Sequence, residues 1–215
     1  MKIISVNTGL SRDVTWHGRI VTTGIFKQPA AGRVALRKLN LDGDRQADLS
    51  VHGGQDKAVY CYPITHYDYW KRELPGRELP LAMFGENFTT EGLLEDSVHI
   101  GDRFRVGSAE LIVTQPRLPC YKLGIKFGQA AMVKRFSNSR RTGFYVAVLR
   151  EGNVGAGDAI ELIGREGLQV TVGDITRLYL RDEEDLAKMR RAMQVEALPE
   201  GWRTYFAQQI EQPEQ

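Results

Sequence analysis

The chain has 215 residues, of which 42% are hydrophobic and 26% charged, and 29 basic residues against 27 acidic ones give a net charge of +2 at pH 7. This composition is typical of a globular protein of one domain or slightly more, and it excludes disordered, collagen-like and coiled-coil chains. The balanced charge disfavours a dedicated nucleic-acid-binding protein, and no apolar run approaches the ~20 residues that span a bilayer. Cys61 and Cys120 are the two cysteines, and the opening segment breaks too early for a signal peptide. We therefore expect no disulfide framework and a cytoplasmic protein.

Short segments in which apolar and polar residues alternate dominate the first 164 residues. The alternation over 98–106 resumes over 109–114 after Gly107-Ser108, which predicts a β-hairpin. A turn is predicted at 151–153. Runs of β-branched and aromatic residues predict further strands, at 34–36, 58–62, 144–148 and 160–162. Many short strands with Gly-rich turns are typical of a closed or nearly closed antiparallel β-barrel.

Helical signals are few before residue 164 and frequent after it. Thr65 and Asp68 have the spacing of a capping box, which predicts a helix over 65–74, and a second helix is predicted over 129–136. Three short helices are then predicted, over 174–180, over 182–193 and after Pro199. The middle one begins with the acidic run Asp182–Asp185 and ends with basic residues, an order that complements the helix dipole. We therefore predict a mainly β, α+β fold, with a barrel domain over 1–164 and a three-helix domain over 165–215.

One short pattern occurs twice, as Val98-x-x-Gly101-Asp102 and as Val154-x-x-Gly157-Asp158. Each copy precedes a predicted strand. A repeated turn with glycine at positive φ explains the pattern better than a duplicated binding loop does.

The sequence lacks the P-loop, Rossmann, zinc-protease and nucleophile-elbow motifs, so candidate chemistry is confined to polar loops. Cys120 lies in the loop 115–122, between Arg117 and Lys122. Nearby cations favour the thiolate, which is the form that attacks electrophiles or binds a soft metal. The alternative is that the thiol is only a small buried hydrophobe. That alternative fits Cys61, which lies between two tyrosines in a predicted strand.

The other polar candidates each allow two interpretations. His52 precedes two glycines and is a ligand, a proton donor or a turn residue. Asp44 is an acid/base group or a turn cap. Arg140 binds a phosphate or faces solvent. Asn87 forms hydrogen bonds with the edge of a heterocycle or closes a turn.

Taken together, these loops resemble the MOSC family, which is related to the carboxyl-terminal domain of molybdenum-cofactor sulfurases. The likeness extends over nearly the whole chain and is strongest to small stand-alone bacterial members of the YiiM type, in which a three-helix domain follows the barrel. The motifs that carry the resemblance are Gly43-Asp44, His52-Gly53-Gly54-x-x-Lys57-Ala58-Val59-Tyr60, Gly85-Glu86-Asn87-Phe88, Ile100-Gly101-Asp102 and Pro116-Arg117-x-Pro119-Cys120.

The resemblance implies a cofactor and a site. It implies the molybdenum cofactor (Mo-molybdopterin), with Cys120 as the metal ligand; pyridoxal phosphate is not expected. It also implies that basic and amide side chains hold the pterin and its phosphate. The candidates by motif are His52, Lys57, Asn87 and Arg117, whereas Arg140 is a candidate by charge alone. Cys120 with Asp44 and His52, either of which could donate a proton, forms the expected catalytic set.

The resemblance further implies an oxidoreductase that reduces N-hydroxylated compounds, such as hydroxylaminopurine base analogues, to amines and so detoxifies them. No flavin, haem or iron–sulfur motif is visible in the sequence, so a separate electron-donor protein is expected. The competing hypothesis is a molybdopterin-binding or sulfur-carrier protein that uses a Cys120 persulfide. We expect no specific nucleic acid and no membrane among the partners, and a homodimer is compatible with the sequence.

Overall fold

The computed structural model describes residues 1–47 and 53–211, and within these ranges it contains twelve strands and six α-helices. The strands are β1 Lys2–Thr8, β2 Arg12–Trp16, β3 Arg19–Thr23, β4 Gln28–Pro29, β5 Val34–Leu36, β6 Val59–Pro63, β7 Phe88–Glu91, β8 Arg103–Val106, β9 Ala109–Pro116, β10 Phe144–Arg150, β11 Gly152–Val154 and β12 Ile160–Gly164. The helices are α1 Thr65–Glu73, α2 Tyr121–Phe127, α3 Met132–Ser139, α4 Val172–Tyr179, α5 Leu186–Met193 and α6 Glu200–Glu211. A 3₁₀ turn covers Gln55–Lys57.

Eight strands form one curved sheet in the order β12-β8-β9-β10-β6-β7-β1-β4. Neighbouring strands are antiparallel except β6 and β7, which run parallel and are connected through α1, because a parallel pair needs a crossover. Backbone hydrogen bonds also join the chain just before β12 to β1: Ile3 N–H donates to the Asp158 carbonyl at 2.9 Å, and Gly157 N–H donates to the Ile3 carbonyl at 2.8 Å. The sheet therefore curls back on itself around its core, and the predicted α+β class with a mainly antiparallel sheet is confirmed.

Strand β6 is buried on both faces and separates two hydrophobic clusters. Val59 and Cys61 face the larger cluster inside the curved sheet. Tyr60 and Tyr62 face a second, aromatic cluster that α1, α2 and α3 cover, and Trp70, Phe84 and Phe136 belong to it. This alternation is the period of two that a strand imposes on its side chains.

The three C-terminal helices pack into the same cluster as the interior of the sheet. Ile175 and Leu178 of α4 and Phe206 of α6 are members of that cluster. Helix α4 begins with a capping box in which the Thr171 hydroxyl accepts from the Asp174 N–H at 2.9 Å and the Asp174 carboxylate accepts from the Thr171 N–H at 3.0 Å. The division of the chain at residue 164 stays a prediction.

Several local predictions are confirmed and others are wrong in detail. The hairpin formed by β8 and β9 is present, although its first strand begins at Arg103 instead of residue 98. Gly101 and Gly157 have φ of 93° and 89°, so the repeated pattern is a repeated turn. The segment 151–153 was predicted as a turn, but most of it forms β11, which pairs with β5.

The helix predictions needed correction at their ends. Thr65 lies inside α1 and its N-cap is Ile64, without a side-chain cap, so the predicted Thr65–Asp68 capping box is wrong. Helix α3 lies three residues later than predicted. No helix is predicted at the position of α2, whose first two residues lie in the predicted loop 115–122. Helix α5 begins at Leu186 behind the N-cap Asp185, so most of the acidic run precedes the helix and forms ion pairs instead.

Candidate functional site

Cys120 lies at the meeting point of two cavities. The residue is half-buried and occupies the N-cap position of α2, directly after the loop that leaves β9. One cavity has basic lining residues and is called the basic cavity here. The other, the aromatic cavity, lies between the sheet and α6. Both cavities are lined by Cys120, Lys57 and Tyr145, so the thiol lies at their common boundary.

The basic cavity concentrates positive charge in a volume of about 90 Å³ that opens to the surface. Among the described residues that line it there is no Asp or Glu, and the basic ones are Lys27, Arg45, Lys57, Arg117 and Lys122. Basic side chains converging without carboxylates attract an anion such as a phosphate. The size suits a small anionic group, with the rest of a larger ligand extending outwards.

Arg117 is the most buried of the cations that line this cavity. Its guanidinium carbon lies 4.9 Å from the centre of the Tyr60 ring and 5.1 Å from that of Phe136, and its Nη1 donates to the Tyr60 hydroxyl oxygen at 3.4 Å. Burial works against the charge of Arg117, but Tyr60, Tyr145 and Cys120 outweigh it and raise the Arg117 pKa. The aromatic faces thus hold a permanent cation within electrostatic reach of the Cys120 sulfur.

Asp44 lies behind the lining of the basic cavity and contacts two residues of that lining, Lys27 and Asn87. Its side chain is fully buried and forms an ion pair with Lys27, while Asp44 Oδ1 accepts from the Gly9 N–H at 3.0 Å and Oδ2 accepts from Asn87 Nδ2 at 2.9 Å. Burial lowers the pKa of Lys27, and Asp44 opposes that shift. Because Lys27 lines the cavity and Asp44 does not, the carboxylate acts by positioning Lys27 and Asn87.

Asn87 lines the basic cavity, yet its amide is used inside the protein. The Asn87 Oδ1 accepts from the Tyr60 N–H at 3.1 Å, and Nδ2 also donates to the Asn7 carbonyl at 3.3 Å. The preceding Glu86 is buried and accepts hydrogen bonds from Ala82 N–H and the Thr89 hydroxyl, and its burial raises the Glu86 pKa. The motif Gly85-Glu86-Asn87-Phe88 therefore holds the loop against β6 and keeps this side of the cavity in place.

Lys57 and Lys122 bring two further cations close to Cys120. Lys57 ends the 3₁₀ turn, lines both cavities and is half-buried, and burial lowers its pKa against the opposing charge of Asp56. Lys122 lies in the first turn of α2 and is buried. The described part of the site thus brings together four predicted residues, namely Cys120, Lys57, Asn87 and Arg117, with Asp44 directly behind them.

Two predicted residues are not part of this arrangement. Arg140 lies at the C-cap of α3, where its guanidinium forms an ion pair with Asp182, and it lines a different cleft beside α4. His52 lies outside the described residues. Cys61 is buried in β6, and burial raises the pKa of its thiol, as expected for a structural cysteine.

Sequence reasoning missed several residues that line the site. Lys27 is an isolated lysine in the segment between β3 and β4, and Tyr145 alternates with core residues in β10, so neither carries a sequence signal of its own. Tyr60 belongs to a motif that carries the family resemblance, and that position was the available signal. Trp202 lies in the helix predicted after Pro199, and nothing in the sequence indicates that it lines a cavity.

The described residues fit an anionic, metal-bearing cofactor. The phosphate of such a group requires cations without competing carboxylates, which the basic cavity provides. A soft metal requires a soft donor, and the thiol of Cys120 lies at the boundary of that cavity. Arg117, Lys57, Lys122 and Lys27 are the side chains that could hold the anionic part.

In a separate respect, none of the described helices is long and apolar enough to cross a membrane.

Comparison with known proteins agrees with this architecture. A family model described as the MOSC domain matches residues 48–161, and one described as the YiiM-like, 3-alpha helix domain matches residues 170–212. The chain is 43% identical over 204 residues to YflK of Bacillus subtilis, a protein described as uncharacterized, and the match covers 95% of this chain and 92% of YflK. The crystal structure of YiiM from Geobacillus stearothermophilus superposes with a TM-score of 0.81 at 33% identity, covering 97% of this chain and 98% of that one.

A more distant relative carries a name that bears on activity. A Gibberella moniliformis protein named Reductase is 34% identical over 164 residues, which are 75% of this chain but 29% of that protein. The name therefore describes a longer protein, of which this chain matches one part. The family models and the extent of these matches lead to one conclusion: this chain belongs to the MOSC domain family, with a YiiM-like three-helix domain after the MOSC domain.

Proposed function

We propose that this protein is a molybdenum-cofactor-dependent reductase that converts N-hydroxylated compounds to amines. The observation that carries the proposal is the position of the Cys120 thiol at the boundary of a cavity whose described lining holds five basic residues and no carboxylate. Membership of the MOSC family and the relative named Reductase support an oxidoreductase.

Each residue of the site has a role in this proposal. Cys120 supplies a sulfur ligand to the metal. Arg117, Lys57 and Lys122 hold the anionic part of the cofactor, and the aromatic faces around Arg117 limit the orientation of its guanidinium. Asp44 is a positioning residue that keeps Lys27 in the lining of the cavity.

The reaction consumes two electrons and two protons. The N–O bond of R–NHOH breaks, the nitrogen is reduced to R–NH₂, and the oxygen leaves as water. When bound, the cofactor supplies the two-electron redox chemistry of this step, while the protein orients the substrate and limits the access of water. The electrons come from a separate electron-donor protein and the protons from solvent.

The test is metal content together with turnover. Protein produced in a host that makes the cofactor should contain molybdenum in stoichiometric amount, and with an artificial reductant it should convert 6-hydroxylaminopurine to adenine. A Cys120→Ser variant should lose the activity and most of the metal, because a hydroxyl is a hard and poorly ionised donor. The matched control is Cys61→Ala, which removes the buried structural thiol and should keep both. A Cys120→Ser variant with full metal and activity would refute the ligand assignment, and loaded wild-type protein without turnover would favour the sulfur-carrier alternative.

A second pair of variants tests the basic cavity. Lys57→Met and Arg140→Met each remove one cation, but only Lys57 lines the cavity beside Cys120. Since a hydrogen bond to a charged group contributes about 1.5–3 kcal/mol, Lys57→Met should weaken cofactor binding roughly 10- to 100-fold, whereas Arg140→Met should change it less than about twofold. Equal effects of the two variants on cofactor content would contradict the assignment.

A further inference from the structure

The aromatic cavity has the size and lining of a small-molecule site. Its volume is about 600 Å³, within the range of roughly 300–1,000 Å³ that is usual for ligand pockets. The sheet side contributes Pro116, Leu118 and Tyr145. The helical side contributes Tyr179 of α4 together with Trp202 and Tyr205 of α6. The site therefore exists only because the C-terminal helices pack against the sheet.

The helical wall of the cavity is held by hydrogen bonds that cross from α6 to the sheet. Trp202 Nε1 donates to Gln115 Oε1 at 2.8 Å, and Gln115 Nε2 donates to the Asp56 carbonyl at 3.3 Å. Gln115 thus connects α6 with the 3₁₀ turn that carries Lys57. The Tyr179 ring packs against Trp202 and Tyr205 with centroid distances of 5.2 and 5.1 Å. These contacts fix the aromatic rings before any ligand arrives.

The position of Cys120 connects this cavity to the proposed chemistry. The thiol lines both cavities, so a ligand in the aromatic cavity reaches the metal-ligating end of the site without entering the basic cavity. The described lining of the aromatic cavity holds four aromatic rings and three prolines, and its two charged residues, Asp56 and Lys57, have opposite signs, so it suits a flat, uncharged ring system. The cations of the basic cavity suit an anion instead. The two cavities therefore differ in the chemistry of the ligand that each can hold.

We propose that the aromatic cavity binds the planar heterocyclic part of the substrate, and that Tyr205 and Trp202 of α6 form the recognition surface for it. The C-terminal helices would then determine which N-hydroxylated compounds are reduced. The kinetic part of this inference rests on the proposed reductase function, while the binding part does not.

Binding is tested with adenine, the amine that corresponds to 6-hydroxylaminopurine. Isothermal titration of the full-length protein with adenine should give a saturable signal both without and with the cofactor. Tyr205→Ala should weaken this binding roughly tenfold, since stacking of a base on an aromatic ring contributes about 1–3 kcal/mol. The matched control is Tyr121→Ala, because Tyr121 is exposed beside Cys120 but lines neither cavity. Leu118→Glu, on an exposed loop residue, provides a second disruptive variant should Tyr205→Ala fail to fold, and it should also abolish the binding of an uncharged base.

Turnover separates recognition from a structural effect. Tyr205→Ala should raise KM for 6-hydroxylaminopurine roughly tenfold, and the ratio of kcat/KM for 6-hydroxylaminopurine to kcat/KM for the small, non-aromatic substrate hydroxylamine should fall by a similar factor. If Tyr205→Ala loses both activities, the substitution has damaged the structure, and Leu118→Glu then decides. The proposal is overturned if Leu118→Glu leaves the ratio of the kcat/KM values for 6-hydroxylaminopurine and hydroxylamine as it is in the wild type.

Other outcomes distinguish this inference from the proposed function. Suppose that the wild-type protein reduces 6-hydroxylaminopurine but the Tyr205→Ala and Leu118→Glu variants bind this compound as tightly as the wild type does. This result would overturn the assignment of the aromatic cavity and leave the proposed reductase function standing. Adenine binding that disappears when the cofactor is loaded would also overturn it, because the cavity would then belong to the cofactor. Adenine binding that depends on Tyr205 in a protein without any turnover would support the site and refute the reductase.

Discussion

Replacing Asp44 by Asn should destabilise the protein far more than its place in a turn motif suggests. The side chain of Asp44 is 0% exposed and that of its partner Lys27 is 8% exposed. The isosteric substitution removes the charge of Asp44 but leaves Lys27 inside the protein. Removing one partner of a buried ion pair costs about 3–5 kcal/mol, because the remaining charge has lost its compensation.

The hydrogen bonds of Asp44 add to this effect. The carboxylate accepts from the Gly9 N–H and from Asn87 Nδ2, and an amide in its place keeps only one accepting oxygen. We therefore expect a loss of about 4 kcal/mol in the free energy of unfolding. For a chain of this length, a change of 1 kcal/mol shifts Tm by about 2–4 °C, so Tm should fall by roughly 8–16 °C.

The assay is urea unfolding followed by far-UV circular dichroism, with Asp42→Asn as the matched control. Asp42 lies two residues earlier and pairs with Arg37, but their side chains are 55% and 54% exposed. An exposed pair contributes at most about 1 kcal/mol, so this control should unfold nearly like wild type. The double variant Lys27→Met/Asp44→Asn removes both charges and should be more stable than Asp44→Asn alone. The reasoning is refuted if the free energies of unfolding of Asp44→Asn and Asp42→Asn differ by less than about 1 kcal/mol. It is also refuted if the loss of stability in the double variant equals the sum of the losses in Lys27→Met and in Asp44→Asn measured separately.

Two further predictions concern the C-terminal helices and one glycine. Burial opposes the charge of Asp174, but hydrogen bonds from Thr171 and neighbouring cations outweigh it and lower the Asp174 pKa from 3.8 to about 2. The stabilisation by the ionised Asp174 carboxylate is therefore complete above the unfolded-state pKa and is lost as the pH falls towards 2. In urea unfolding, the difference in stability between wild type and Asp174→Asn should shrink by about 1 kcal/mol between pH 5 and pH 3. A difference that does not change with pH would contradict this reasoning. Gly143 and Gly128 both have φ of 62°, but a Cβ on Gly143 would lie 2.4 Å from the Cys61 carbonyl oxygen, whereas one on Gly128 would meet no atom within 4 Å. Thermal unfolding should show a loss of about 1–2 kcal/mol for Gly128→Ala and at least twice that for Gly143→Ala, and equal losses would show that the backbone near Cys61 yields to the added methyl group.

The local structure of this protein follows closely from its sequence. The β8–β9 hairpin is visible as an alternation of polar and apolar residues on either side of Gly107-Ser108, because a strand places neighbouring side chains on opposite faces. The repeated turns at Gly101 and Gly157 are visible for a similar reason, since few residues other than glycine adopt their positive φ. The different surroundings of the two cysteines can also be read from their neighbours: Cys61 lies among strand formers, and Cys120 lies among prolines and cations.

The ends of elements were harder to predict. The spacing of Thr65 and Asp68 predicts a capping box with Thr65 as the N-cap, yet the N-cap is Ile64, one residue earlier, and Thr65 is the first residue of the helix. The same kind of box does form at Thr171 and Asp174. Both pairs have the required spacing, so the choice depends on where the preceding strand or loop delivers the backbone.

The composition of the site was decided by tertiary structure. Lys27 and Asp44 form a buried pair although 17 positions separate them, and Gln115 meets Trp202 across 87 positions. Arg140 carries the charge that the site needs, but the end of α3 directs it to Asp182 on another surface. Alternation, turn chemistry and the character of each cysteine are properties of near neighbours in the chain, and the sequence determines them directly. Ion pairs and cavity linings join residues that only packing brings together, because burial and Coulomb energies depend on distance in space and not on distance along the chain.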